Sequence, residues 1–139
     1  MRLEERMFSK SDTQTVLEHA ARPEWHLDKA HAMYELAIRS LEDPSLLDAA
    51  WNCIGKEIVY VPRQGPPLGQ PAAALLLDSG QKAVEKSLVA TMQDWSVDQQ
   101  RDFFYGVVQE SKRHAFLNRL IAEFGFAPKI EVSRDGSIA

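Results

Sequence analysis

Apolar residues in this chain recur mostly at three- and four-residue steps, the period of helices that bury one face. Ser11 and Gln14, three apart, have the form of a capping box and predict a first short helix from Thr13 to Ala21. Beyond Pro23, the positions Leu27, Ala30, His31, Tyr34, Ile38 and Leu41 make the cleanest amphipathic stripe and predict a second, longer helix. The run Glu42–Ser45 interrupts it. Ser45 and Asp48 then open a third helix that directs Leu46, Ala50, Cys53 and Ile54 to the core and ends at Gly55.

From Ile58 the pattern changes. Ile58, Val59, Tyr60 and Val61 have strand propensity, and Pro62 pushes Val61 out of the helical region, so a short extended segment is expected. Residues 62–70, rich in proline and glycine, read as a connector between two packed halves, too short and too closely bordered by apolar residues to be an interdomain linker. Helices are predicted again from Pro71 to Leu77 and from Asp78–Gln81 to about Asp94, the latter with Ala83, Val84, Leu88 and Met92 on its inner face. A second capping box, Ser96 and Gln99, starts a last helix through Phe124, about 42 Å long at 1.5 Å per residue. Gly125 fits its left-handed end, followed by Phe126 and Pro128. Ile130 and Val132 form a short strand pattern able to pair with the segment around Val59.

The expected fold is therefore a compact all-α single domain spanning residues 1–139, with five or six helices and at most a minor two-stranded β element. Residues 1–10 and 134–139 are expected to fray. A chain of 139 residues is long enough to bury a core without metal or disulfide. Sixteen basic and twenty acidic residues leave a net charge of −4 with no acidic tail and no basic block, which gives no electrostatic footprint for nucleic acid. Cys53 is the single cysteine, so an internal disulfide and a cysteine-rich zinc site are both excluded. No apolar run reaches the roughly 18 residues of a membrane span and the N-terminus lacks a signal-peptide core, so a cytoplasmic setting is expected.

The last helix carries two apolar stripes. Phe103, Phe104, Val107 and Val108 centre on one azimuth, whereas Phe116, Leu117, Leu120, Ile121 and Phe124 centre about 130° away. One flat face cannot bury both. Either the two halves meet different neighbours in one core, or Phe116, Leu117, Leu120 and Phe124 face a partner protein or a second copy of the chain. Two His/Glu pairs share a helical spacing of four, His31 with Glu35 and Glu110 with His114, which places each carboxylate beside an imidazole. That is the minimum equipment of acid–base chemistry or a metal site on two helices. Neither HExxH nor the Glu-x-x-His of di-iron bundles occurs, and local helical pairing explains both pairs. Cys53 beside Trp51 reads as a small buried hydrophobe. There is no GxSxG, no SxxK and no phosphate-binding glycine loop. Lys112–His114, flanked by Arg119, reads as a solvated basic face. No cofactor is implied, and the functional expectation is a non-catalytic protein-binding factor of the adaptor, inhibitor or regulatory-subunit kind, a homodimer or bound to another protein. The alternative is a small helical enzyme or metal protein using His31, Glu35, Glu110 and His114.

Overall fold

The computed structural model of the protein describes residues 3–24, 26–58, 67–110 and 114–125, with the side chains at 4, 108–110, 114, 115 and 117 outside that description. Among the described residues there are seven α-helices and no strand: α1 (Thr13–Ala20), α2 (Leu27–Glu42), α3 (Leu47–Gly55), α4 (Gln70–Asp78), α5 (Lys82–Met92), α6 (Val97–Glu110) and α7 (His114–Phe124). Short 3-10 turns at Leu3–Glu5 and Pro44–Leu46 precede α1 and α3. The all-α expectation holds, but the helix count is seven rather than five or six. Val97–Phe124 is two helices, with residues 111–113 outside the description. Phe103, Phe104 and Val107 of α6 and Phe116 and Leu120 of α7 are buried, so both stripes contribute to the core. The strand patterns at 59–61 and 130–132 lie outside the described residues, as do 62–66 and the tail 134–139.

Local chemistry sets the helix ends. Asp12, not Ser11, caps α1: its Oδ1 accepts the Thr15 N–H at 2.7 Å, placing a negative charge on a helix N-terminus. His26 caps α2 through Nδ1, which accepts the Asp28 N–H at 3.1 Å. Ser96 precedes α6 as expected, with Oγ accepting the Gln99 N–H at 3.1 Å. At the far end of α7, Gly125 takes a φ of 72° and donates its N–H to the Ile121 carbonyl at 2.8 Å, the left-handed stop that glycine adopts without a Cβ clash.

α2 is the central element, packed against α1, α3 and α4. Its buried apolar residues are Ala30, Ala32, Met33, Leu36 and Ala37, of which Ala30 alone belongs to the stripe that the sequence pattern favoured. Leu27 is 48% exposed, and His31, Tyr34, Ile38 and Leu41 are half-buried. The packed face is thus turned about the helix axis from that stripe, and it combines alanines, which let neighbouring helices approach, with Met33 and Leu36. Around this centre α4 meets α6, α5 meets α3, and α7 meets α6. One apolar cluster draws side chains from all seven helices. Trp51 lies at its heart, edge-on to Phe103 with ring centroids 5.8 Å apart, and its Nε1 donates to the Val84 carbonyl at 3.2 Å. On α5, Val84, Leu88 and Met92 are buried as expected, whereas Ala83 is exposed.

The two ends of the connector meet. Gly69 donates its N–H to the Glu57 carbonyl at 2.7 Å, and Leu68 beside it is buried. A Cβ at position 69 would stand 2.8 Å from the Ile54 carbonyl oxygen and 2.9 Å from that of Glu57, so only glycine permits this approach.

Candidate functional site

Glu35, expected to pair locally with His31 and only in the alternative reading to serve as a ligand, is the anchor of an arginine network. It is 1% exposed, and both carboxylate oxygens are engaged: Arg6 donates from Nε to Oε1 at 3.0 Å and from Nη2 to Oε2 at 2.9 Å, and Arg39 donates from Nε to Oε2 at 3.0 Å. Burial alone would raise the Glu35 pKa, but the hydrogen bonds and charges of Arg6 and Arg39 outweigh it and hold the carboxyl below its ordinary range. Arg39 continues the network to the Thr13 hydroxyl at 3.2 Å and to the backbone carbonyls of Phe8 and Ser11 at 3.1 and 2.5 Å. The segment expected to fray within residues 1–10 is thereby fastened to α2 from Arg6 onward, with Phe8 buried beneath it against the His19 ring. Three of the roughly four lone-pair sites of Glu35 thus accept from guanidinium N–H groups, one at Oε1 and two at Oε2. His31 lies half-buried on the same helix, its Nδ1 buried without a hydrogen-bond partner among the described residues. The side chains of Glu110 and His114 lie outside the description, and no group of three or more His, Cys, Asp or Glu able to hold a metal occurs among the described residues.

The expected aromatic face of the last helix is turned inward. Phe116 and Leu120 belong to the core, Phe124 and Ile121 are half-buried against it, and the Leu117 side chain lies outside the description. The stripe was real, but α7 aims it at its own chain. Among the exposed residues of α7 is Arg119, whose guanidinium lies 5.7 Å from the Phe116 ring centroid and donates to Glu85 of α5 at 3.4 Å.

Between these helices runs a groove of about 540 Å³ with a mostly apolar lining. Lys82, Glu85, Lys86, Val89 and Ala90 form its α5 side and Arg119 its α7 side. The α5 residues follow i, i+3, i+4, i+7, i+8, a single helix face that the sequence displays but whose mixed charged and apolar character hid it from a search for core stripes. Among the described residues three cations and one carboxylate line it, and that carboxylate is engaged by Arg119, in a chain whose net charge is −4. The groove follows α5 for about 12 Å, from Lys82 to Ala90 at 1.5 Å per residue.

A second cavity, of about 330 Å³, opens where α1, α2 and α3 meet. Its floor is an ion pair between Lys29, 4% exposed, and Glu57. Arg22 and Lys56 stand at its rim beyond the C-terminal ends of α1 and α3, where a cation complements the helix dipole. Cys53 lines the same cavity half-buried. Burial pushes its thiol pKa up, against the smaller opposing pull of Lys56 and Lys29, so the thiol is the neutral form and not an activated nucleophile.

No helix among the described residues is long and apolar enough to cross a membrane. Comparison with known proteins finds no protein family, no curated protein and no solved structure that matches this chain.

Proposed function

We propose that this chain is a non-catalytic protein-binding factor, an adaptor, inhibitor or regulatory subunit, and that the groove between α5 and α7 takes a helical segment of a partner protein. The observation that carries this reading is the groove itself: a mostly apolar channel edged by polar side chains and long enough for about two turns of helix. Support also comes from the chemistry of the other candidates. Glu35 is tied to two arginines and Cys53 is held neutral, so neither offers the free base or nucleophile that a catalytic reading needs. A reducing cytoplasm suits a protein whose single cysteine is unpaired.

A photo-cross-linking side chain placed at Lys86 and, in a separate variant, at exposed Glu24 tests this in the native host. The expected result is a product at Lys86, absent at Glu24, that maps to one helical segment of a partner whose synthetic peptide then binds the purified chain. Equal labelling at both positions, or no product at Lys86, overturns the reading.

A further inference from the structure

Resting on that docking surface, we infer that the groove selects an acidic amphipathic helix of a different protein rather than a second copy of this chain. The argument is one of charge and spacing. Lys82 and Lys86 sit one helical turn apart at the start of α5, about 6 Å along its axis, and have no acidic partner among the described residues. They stand in the first turns of the helix, where the positive end of its dipole also favours an anion. Glu85, the one carboxylate of the lining among the described residues, is engaged by Arg119 from the opposite wall. Farther along the same face the lining becomes apolar at Val89 and Ala90. A complementary helix therefore carries two acidic residues one turn apart, followed along the channel by apolar residues.

The same arrangement disfavours self-association through this surface. A symmetric pair is isologous, so it sets the groove of one copy on the groove of the other. Two patches that each carry Lys82, Lys86 and Arg119 would then meet, both of net positive sign since Glu85 is already engaged by Arg119, and that works against pairing. A partner of opposite sign meets no such opposition.

The test uses the full chain and two synthetic helical peptides that share one apolar face, with glutamates or with lysines at the remaining contact positions. Fluorescence anisotropy should show the glutamate peptide binding at least about tenfold more tightly than the lysine peptide, with an advantage that shrinks as salt screens the charges. The double variant Lys82→Glu with Lys86→Glu should reverse the preference while circular dichroism stays unchanged, both side chains being exposed. Equal affinities, a preference for the lysine peptide, or a preference that survives the double reversal overturns the inference. So does light scattering that shows a stable dimer broken by the double reversal, which names the second copy as occupant. Each of these results leaves protein docking intact if cross-linking at Lys86 succeeds; absence of that cross-link defeats the underlying reading instead.

Discussion

The two ends of the described chain are fastened to the same core by opposite means. At the N-terminal end, the segment before α1 is held to α2 by directed polar bonds: Glu35 receives Arg6 and Arg39, and Arg39 spans to the carbonyls of Phe8 and Ser11. At the C-terminal end, α7 is held by apolar burial of Phe116 and Leu120, with an ion pair from Arg119 across to Glu85 of α5. Directed bonds specify one seating, because a guanidinium fork matches a carboxylate in few orientations. Apolar burial is indifferent to small changes of direction. The difference teaches how the two ends are specified: the N-terminal segment is seated by bond direction as well as by burial of Phe8, while the described contacts of α7 rest chiefly on Phe116 and Leu120.

The largest effect expected on either side is Phe116→Ala. It removes a fully buried ring from the seating of α7 and should cost about 3 to 4 kcal/mol, read from urea unfolding. Next comes Glu35→Gln, which leaves two guanidinium groups without their shared charge; Arg6 is well exposed, so the cost should fall at about 2 to 3 kcal/mol, below a fully buried pair. Acid separates the two mechanisms. The Glu35 carboxyl has a folded pKa below its unfolded one, so its contribution is complete above about pH 4.3 and is lost as pH falls through the folded value. The deficit of Glu35→Gln relative to the native chain should therefore shrink on acidification, whereas that of Phe116→Ala should not follow the same titration. Parallel deficits across this range would show that the N-terminal attachment is not electrostatic.

How much of this was legible beforehand depends on the kind of signal. Periodicity located the helices, and Ser96 and Gly125 marked ends where the structure has them, because caps are local chemistry. The inner face of α2 was misread, Ala30 apart, because the stripe was drawn through Leu27, Tyr34, Ile38 and Leu41, while the packed face runs through Ala32, Met33, Leu36 and Ala37. The stripe of Phe116, Leu120 and Phe124 was visible, but whether it meets its own chain or another depends on how α7 lies against the core, which no periodicity encodes. Glu35 and Arg39 stand four apart and so announce a pair, yet Arg6 arrives from 29 residues away and carries no sequence mark of its destination. The groove face of α5 was written at helical spacing, but its mixture of lysine, glutamate, valine and alanine resembles an ordinary solvated surface until α7 supplies the other wall.

A smaller effect is expected at the edge of that groove. Arg119 is 71% exposed and combines one long ion pair with a cation–π contact, so Arg119→Ala should cost no more than about 1 kcal/mol in thermal or urea unfolding. A loss as large as that of Phe116→Ala would mean that α7 is seated by directed bonds after all, and the contrast between the two ends would fail.

The smallest effect tests the remaining polar group of α2. The His31 Nδ1 is buried without a partner among the described residues, and an unsatisfied buried nitrogen costs the desolvation that a hydrogen bond would otherwise offset. Leucine has a similar bulk and no polar atom, so His31→Leu removes that cost while keeping contact at a half-buried site. The two terms point the same way, and the substitution should be neutral or stabilising by up to about 1 kcal/mol, where Glu35→Gln on the same helix is destabilising. A metal reading predicts the reverse: added zinc or cobalt would raise the melting temperature of the native chain, and His31→Leu would abolish that rise. Neutral unfolding energetics with no metal response assigns His31 to packing, whereas a destabilisation beyond about 1.5 kcal/mol would show that the imidazole makes a hydrogen bond, the value such a bond contributes at most in ordinary settings.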